Sequence, residues 1–168
     1  MNASYILQSL IDGLLIGGVY SLVAIGLTLI FGVMRVVNFA HGALMMLGMY
    51  TTYWSFSLLH IDPYLSVLIT IPVLFLIGSA FQKFLITPII DAPEHNQLLL
   101  TLGVGLFLEN LVVFLWSPDY RITRTSYEFA YLYLGDISIS LIRVLAFVTS
   151  MIVAAVVYLL LTKTSLGK

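Results

Sequence analysis

Long apolar stretches alternate with short polar breaks along this chain, and the breaks set the elements. Apolar stretches run from about Ile6 to Phe31, Asn38 to Leu59, Tyr64 to Ile86, Leu98 to Trp116 and Ile139 to Leu161. A helix needs about 20 apolar residues to cross a bilayer, so the pattern predicts five membrane helices over 6–31, 38–59, 64–86, 98–116 and 139–161. The short alternating segments of a barrel are not seen. Pro72 falls inside the third stretch and predicts a kink there. The break between the first two stretches is the most informative. Arg35, Asn38 and His41 fall within seven positions of it. Polar groups are costly where lipid or packed protein surrounds them. The segment near 33–42 is therefore expected either at a membrane surface or broken and turned back into the protein. Asn38 suits a helix cap. On a helix starting there, Asn38, His41, Met45, Gly48 and Thr52 share one face at spacings of three and four.

Composition narrows the class. Of 168 residues, 61% are hydrophobic and 9% charged, against roughly a quarter charged in soluble domains. The expected fold is an all-α polytopic integral membrane bundle, taken as one domain over residues 1–168. A net charge of -1 without a Lys or Arg cluster argues against nucleic acid. There is no Cys, and three scattered His have no ligand spacing, so no metal site is expected. Nothing resembles a nucleotide-binding loop, and no cofactor is expected. The N-terminus lacks the basic start of a cleaved signal, so the first helix is read as retained.

Other polar and small residues refine the picture. Gly13, Gly17 and Ser21 recur at helical spacing, which in lipid lets two helices approach closely. Asp12 reads as a solvated or capping residue near the end of the first helix. Glu109 and Asn110 lie inside the fourth span. An ionisable group there is a candidate site residue or a helix–helix link, with Arg143 as a candidate partner. Tyr50, Tyr53 and Trp54 suit an interfacial aromatic belt. Tyr127, Phe129, Tyr131 and Tyr133 alternate, which fits a strand turning at Leu134-Gly135-Asp136 into a second one. It fits equally an irregular loop with its aromatics at headgroup level. Arg35, Lys83, Lys163 and Lys168 fall on one side of the predicted spans, and Arg121 and Arg124 on the other with Arg143 near them, a bias of four against three. By the positive-inside rule the N-terminus is expected outside and the C-terminus in the cytoplasm, with Arg35 an anchor at the inner surface.

The break also carries a resemblance. The run Gly17-Gly18-Val19-Tyr20-Ser21-Leu22-Val23-Ala24-Ile25-Gly26, followed by Asn38-Phe39-Ala40-His41-Gly42 and Met46-Leu47-Gly48-Met49-Tyr50, resembles the LivH-type permeases of branched-chain amino acid ABC importers. Asn96-Gln97-Leu98-Leu99-Leu100-Thr101-Leu102-Gly103 and Leu108-Glu109-Asn110-Leu111 are similar to that family's fourth span. The resemblance implies a permease subunit in a bacterial inner membrane, moving branched-chain or related hydrophobic amino acids by alternating access. It implies as partners a second homologous permease subunit, two cytoplasmic ATPase subunits and an extracytoplasmic binding protein. No bond in the substrate changes, so no enzyme is expected. Asn38, His41, Met45, Glu109 and Asn110 are the candidate path residues, with a helix cap beside an interfacial loop as the plainer reading of the first three. Where many relatives carry an acid after His-Gly, this chain has Ala43. The resemblance covers about the first half of a full permease, so a longer protein is expected; the residues after Lys163 resemble the start of its ATPase-coupling loop. The alternatives are a non-transporting assembly subunit and a permease for urea or amides.

Overall fold

The computed structural model describes residues 3–34 and 36–163. Its elements are α1 (Ala3–Met34), α2 (His41–Leu59), α3 (Val67–Phe81), α4 (Glu94–Trp116), β1 (Tyr131–Leu134), β2 (Ile137–Ser140) and α5 (Leu141–Lys163). A π-helical turn, Gln82–Ile86, and a 3-10 turn, Thr87–Ile89, continue α3. The stretches Ser4–Gly32, Val67–Ile89, Glu94–Trp116 and Leu141–Lys163 are long and apolar enough to cross a membrane. The fold is a polytopic helical membrane bundle. At 19 residues α2 is long enough, but it is not among these four stretches; His41, Thr51, Thr52, Ser55 and Ser57 lie along it. Large apolar side chains such as Leu14, Leu68, Phe75, Phe107 and Phe114 are exposed all along the spans. That pattern suits a chain surrounded by hydrocarbon, where only the backbone must be satisfied internally. The anchor role expected of Arg35, and the coupling-loop residues after Lys163, lie outside the described residues.

The chain divides into two compact units, Met1–Val33 with Thr125–Lys168, and Met34–Arg124. In the first unit, α1 holds the hairpin and the start of α5. The strands pair antiparallel with Leu134 opposite Ile137, leaving Gly135 and Asp136 as a two-residue turn. Gly135 has φ +64°, as a glycine at the first position of a type II′ turn requires. Of the two readings left open for this segment, the hairpin is the one formed. Gln8 binds it like a third strand: its Nε2 donates to Ser138 O at 2.8 Å, and Ser138 N donates to its Oε1 at 3.0 Å. Gln8 Nε2 also lies 3.0 Å from Asp12 Oδ2, and Arg143 Nη1 donates to Asp12 Oδ1 at 2.5 Å. Asp12 is therefore a partly exposed ion-pair partner, where the sequence leads one to expect a solvated or capping role. A lone carboxylate or guanidinium below the first turns of a span is costly, and each supplies the other's counter-charge. Arg143, the candidate partner of Glu109, has Asp12 as its ion-pair partner within the first unit.

Gly18 marks where α5 closes on α1, since a Cβ added there would come within 2.3 Å of the Phe147 ring. Leu15, one turn earlier, is buried. The predicted packing stripe lies elsewhere on the helix. A Cβ at Gly13 or Gly17 would meet nothing within 4 Å, and Ser21 Oγ donates to Gly18 O in its own helix at 2.7 Å.

In the second unit, α2 packs antiparallel to α3. Thr52 and Thr70 hydroxyls lie 3.2 Å apart, and Gly48 makes room for Leu74, whose Cδ1 would be 2.9 Å from an added Cβ. α2 runs parallel to α4. At their far ends Tyr50 stacks on Trp116 with centroids 5.2 Å apart, and Trp54 lies 6.2 Å from the same ring. The Arg121 guanidinium covers Tyr53 and Trp54 at 5.5 and 5.4 Å and donates to Trp116 O at 2.6 Å. The expected aromatic belt is thus also a helix clamp.

Candidate functional site

At its near end α2 is held differently. Residues 36–40 are not helical, yet Val36, Asn38 and Ala40 are buried. Buried backbone without helical hydrogen bonds needs other partners. The segment finds them in Asn38 and in α4. Asn38 Oδ1 accepts from Ala40 N at 3.0 Å, and Asn38 O accepts from His41 N at 3.2 Å. Phe39 N donates to Thr101 Oγ1 at 3.2 Å. The Thr101 hydroxyl has Val37 O at 3.3 Å and Leu98 O at 3.2 Å as its acceptors. Thr101 is fully buried, with 0% exposure. One turn on, Gly105 presents bare helix, so an added Cβ would sit 3.5 Å from Ala40 Cα and 3.6 Å from Phe39 O. Gln97, one turn before Thr101, is buried and donates from Nε2 to Ile90 O and Ala92 O, both at 3.0 Å. The i, i+4 row Gln97-Thr101-Gly105 is the face of α4 that carries the broken segment.

This arrangement corrects the reading of Asn38. Its side chain closes a turn ahead of the helix, and α2 begins at His41 with Ala40 as its cap residue. A short amide side chain satisfies the N–H two residues on as readily as a helix N-terminus. Asn38 therefore does not share the helical face of His41 and Met45. That face is itself divided. Gly48 and Thr52 are taken up by α3, whereas His41 is half-buried and Met45 is exposed. Among the described residues the His41 imidazole has no hydrogen-bond partner, and the N–H groups of Gly42 and Ala43 have no acceptor.

Glu109 lies one turn beyond Gly105 on α4, is exposed, and has no partner among the described residues. Asn110 is exposed and donates to Leu106 O in its own helix at 2.7 Å. The candidate residues thus separate into a buried one, Asn38, and less buried ones: half-buried His41 with exposed Met45 on α2, and exposed Glu109 and Asn110 on α4. Thr101 and Gly105 were not singled out from the sequence, although Thr101 lies within the run that resembles the permeases. An open groove of about 620 Å³ borders this end of α2. Leu44, Phe81, Phe84, Leu100, Val104 and Leu108 are among its apolar lining side chains. Free helix-start N–H groups favour a negative charge, and the groove, which α2 reaches through Leu44, favours an aliphatic group.

Residues 9–168 match the family described as "Branched-chain amino acid transport system / permease component". The chain belongs to this permease family. Over 174 aligned residues the permease chain is 27% identical to the high-affinity branched-chain amino acid transport system permease protein BraD of Pseudomonas aeruginosa. That alignment covers 96% of this chain and 57% of BraD. Over 116 residues it is 29% identical to the LivH permease proteins of Salmonella typhimurium and Escherichia coli, covering 64% of this chain and 38% of theirs. The permease chain therefore spans little more than half the length of BraD. No solved structure matches it.

Proposed function

We propose that this chain works within the membrane subunit of an ABC importer for branched-chain or related hydrophobic amino acids. The observation that carries the proposal is the family match over residues 9–168. The start of α2 supports it chemically. A branched aliphatic amino acid has a carboxylate, which suits the free N–H group of exposed Gly42. It also has an apolar side chain, which suits the groove lined by Leu44, Phe84 and Leu108. In this reading His41 and Met45 line the path, and Asn38 with Thr101 sets the shape of the turn. Glu109 and Asn110 face the path or a neighbouring subunit.

The chain has its N-terminus outside and its C-terminus in the cytoplasm of a bacterial inner membrane. It works with a second homologous permease subunit, two cytoplasmic ATPases and an extracytoplasmic binding protein. The open Gly13–Gly17 stripe is where the second permease subunit packs. Transport proceeds by alternating access, with ATP binding on the partners biasing two states of the path.

The test is uptake of labelled leucine into proteoliposomes holding the complete assembly. The proposal expects ATP-dependent uptake that isoleucine and valine compete with and urea and acetamide do not. In parallel assays, uptake of labelled urea or acetamide without uptake of leucine would transfer the chain to the urea or amide branch. Full assembly without uptake of any of these solutes would leave it a structural subunit.

A further inference from the structure

The hairpin between α4 and α5 has no role in the transport reading, and its chemistry is unusual for a segment in water. Tyr131, Leu132, Tyr133 and Leu134 are all exposed, at 46%, 49%, 74% and 64%. They alternate, so both faces of β1 are apolar, with the Tyr131 and Tyr133 rings 6.4 Å apart on one of them. Neither strand carries a charged residue. The sheet has two strands. Gln8 covers the outer edge of β2 at Ser138, while among the described residues the outer edge of β1 has no strand beside it. In water such edges are guarded by Lys, Pro or a bulge, and Tyr131–Leu134 has none of these.

The depth of the hairpin is set by α1. Asp136 Oδ2 lies 3.5 Å from Ser4 Oγ, Ser138 pairs with Gln8, and Arg143 pairs with Asp12. Residues 4, 8 and 12 are successive turns, about 6 Å apart along the helix axis. The span Ser4–Gly32 has 29 residues, about 43 Å at 1.5 Å per residue. That exceeds a hydrocarbon core of about 30 Å and matches a bilayer with its headgroup layers, about 40–45 Å. The turn from Ser4 to Gln8 therefore occupies a headgroup layer, and β2 lies level with it.

We propose that the 131–140 hairpin is a membrane-interface anchor, seated in the headgroup layer beside the first turns of α1 with both faces of β1 against lipid. Tyr and the aliphatic side chains suit a zone that is apolar at one end and wet at the other. The headgroup layer also supplies partners for the open backbone edge of β1, which the hydrocarbon core cannot. This inference needs only that the chain lies in a membrane, so it stands or falls separately from the substrate.

The test uses the absence of Cys from these residues. Nitroxide is attached through Tyr131→Cys, Leu132→Cys, Tyr133→Cys and Leu134→Cys, one at a time, in proteoliposomes of phosphatidylethanolamine and phosphatidylglycerol. Collision with oxygen and with a water-soluble nickel chelate is compared with that at Asp91→Cys in the polar 90–93 loop. The anchor predicts an oxygen-to-nickel ratio several-fold above the reference at positions on both faces, rising from 134 to 131. Ratios at the reference value on all four residues would place the hairpin in water and overturn the proposal. Exclusion of both reagents would place it against protein and overturn it as well.

Discussion

Thr101→Val removes one hydroxyl from a fully buried position while keeping the shape of the side chain. In the wild type that oxygen accepts from Phe39 N at 3.2 Å and has Val37 O as an acceptor at 3.3 Å. Valine leaves the Phe39 N–H without an acceptor in a segment whose backbone has few alternatives. Orphaning a buried donor costs about 1–3 kcal/mol. Val37 O adds less, because a carbonyl tolerates a missing partner better than an N–H does. A loss of about 2 kcal/mol corresponds to roughly a thirtyfold shift in the unfolding equilibrium. Thr101→Ser is the control: it keeps the hydroxyl and loses one methyl, about 0.8 kcal/mol. The expected order of stability is wild type, then Thr101→Ser, then Thr101→Val. It is read by denaturant unfolding of the purified protein in detergent, with hydrogen exchange at the Phe39 amide as the local readout. Exchange at Phe39 should accelerate in the valine variant and stay near wild type in the serine variant. If valine is as stable as wild type, or more stable than serine, the hydroxyl is not what holds the broken segment, and the account of this site fails.

Further expectations follow from other contacts. Gly105→Ala places its Cβ at ordinary contact distance from Ala40, so it should be nearly neutral, whereas Gly105→Leu should lose about 1–3 kcal/mol by overpacking, measured by the same unfolding assay. Gln8→Ala removes both hydrogen bonds to Ser138, about 1–2 kcal/mol in all, and should raise hydrogen exchange at the Ser138 amide while leaving α4 unchanged. Asp12→Ala and Arg143→Ala should each destabilise, and the double variant should lose clearly less than their sum, since removing one member of the pair leaves the other uncompensated.

The five-helix plan and the break before α2 were legible because each has a local signal, long apolar runs and clustered polar residues; the hairpin at Gly135 and Asp136 was one of two readings that the alternation of aromatics left open. The start of α2 was misplaced because the same Asn38 side chain can cap a helix or close a turn before it. Thr101 and Gly105 gave no local signal, since Thr and Gly are common in membrane helices and the backbone they hold lies some 60 positions away. Gln8 and Asp12 were opaque for the same reason, with partners about 130 positions on. The Gly13–Gly17 spacing was visible, but α5 closes at Gly18, where Phe147 has room to sit.

The most direct test of the central claim is the KM for leucine uptake by the complete assembly carrying His41→Ala or Met45→Ala, at protein levels matched to wild type. Met45 is exposed and the His41 imidazole has no hydrogen-bond partner among the described residues, so the account predicts a several-fold higher KM with assembly unchanged. Unchanged uptake and KM in both variants would contradict it and place the path away from this end of α2.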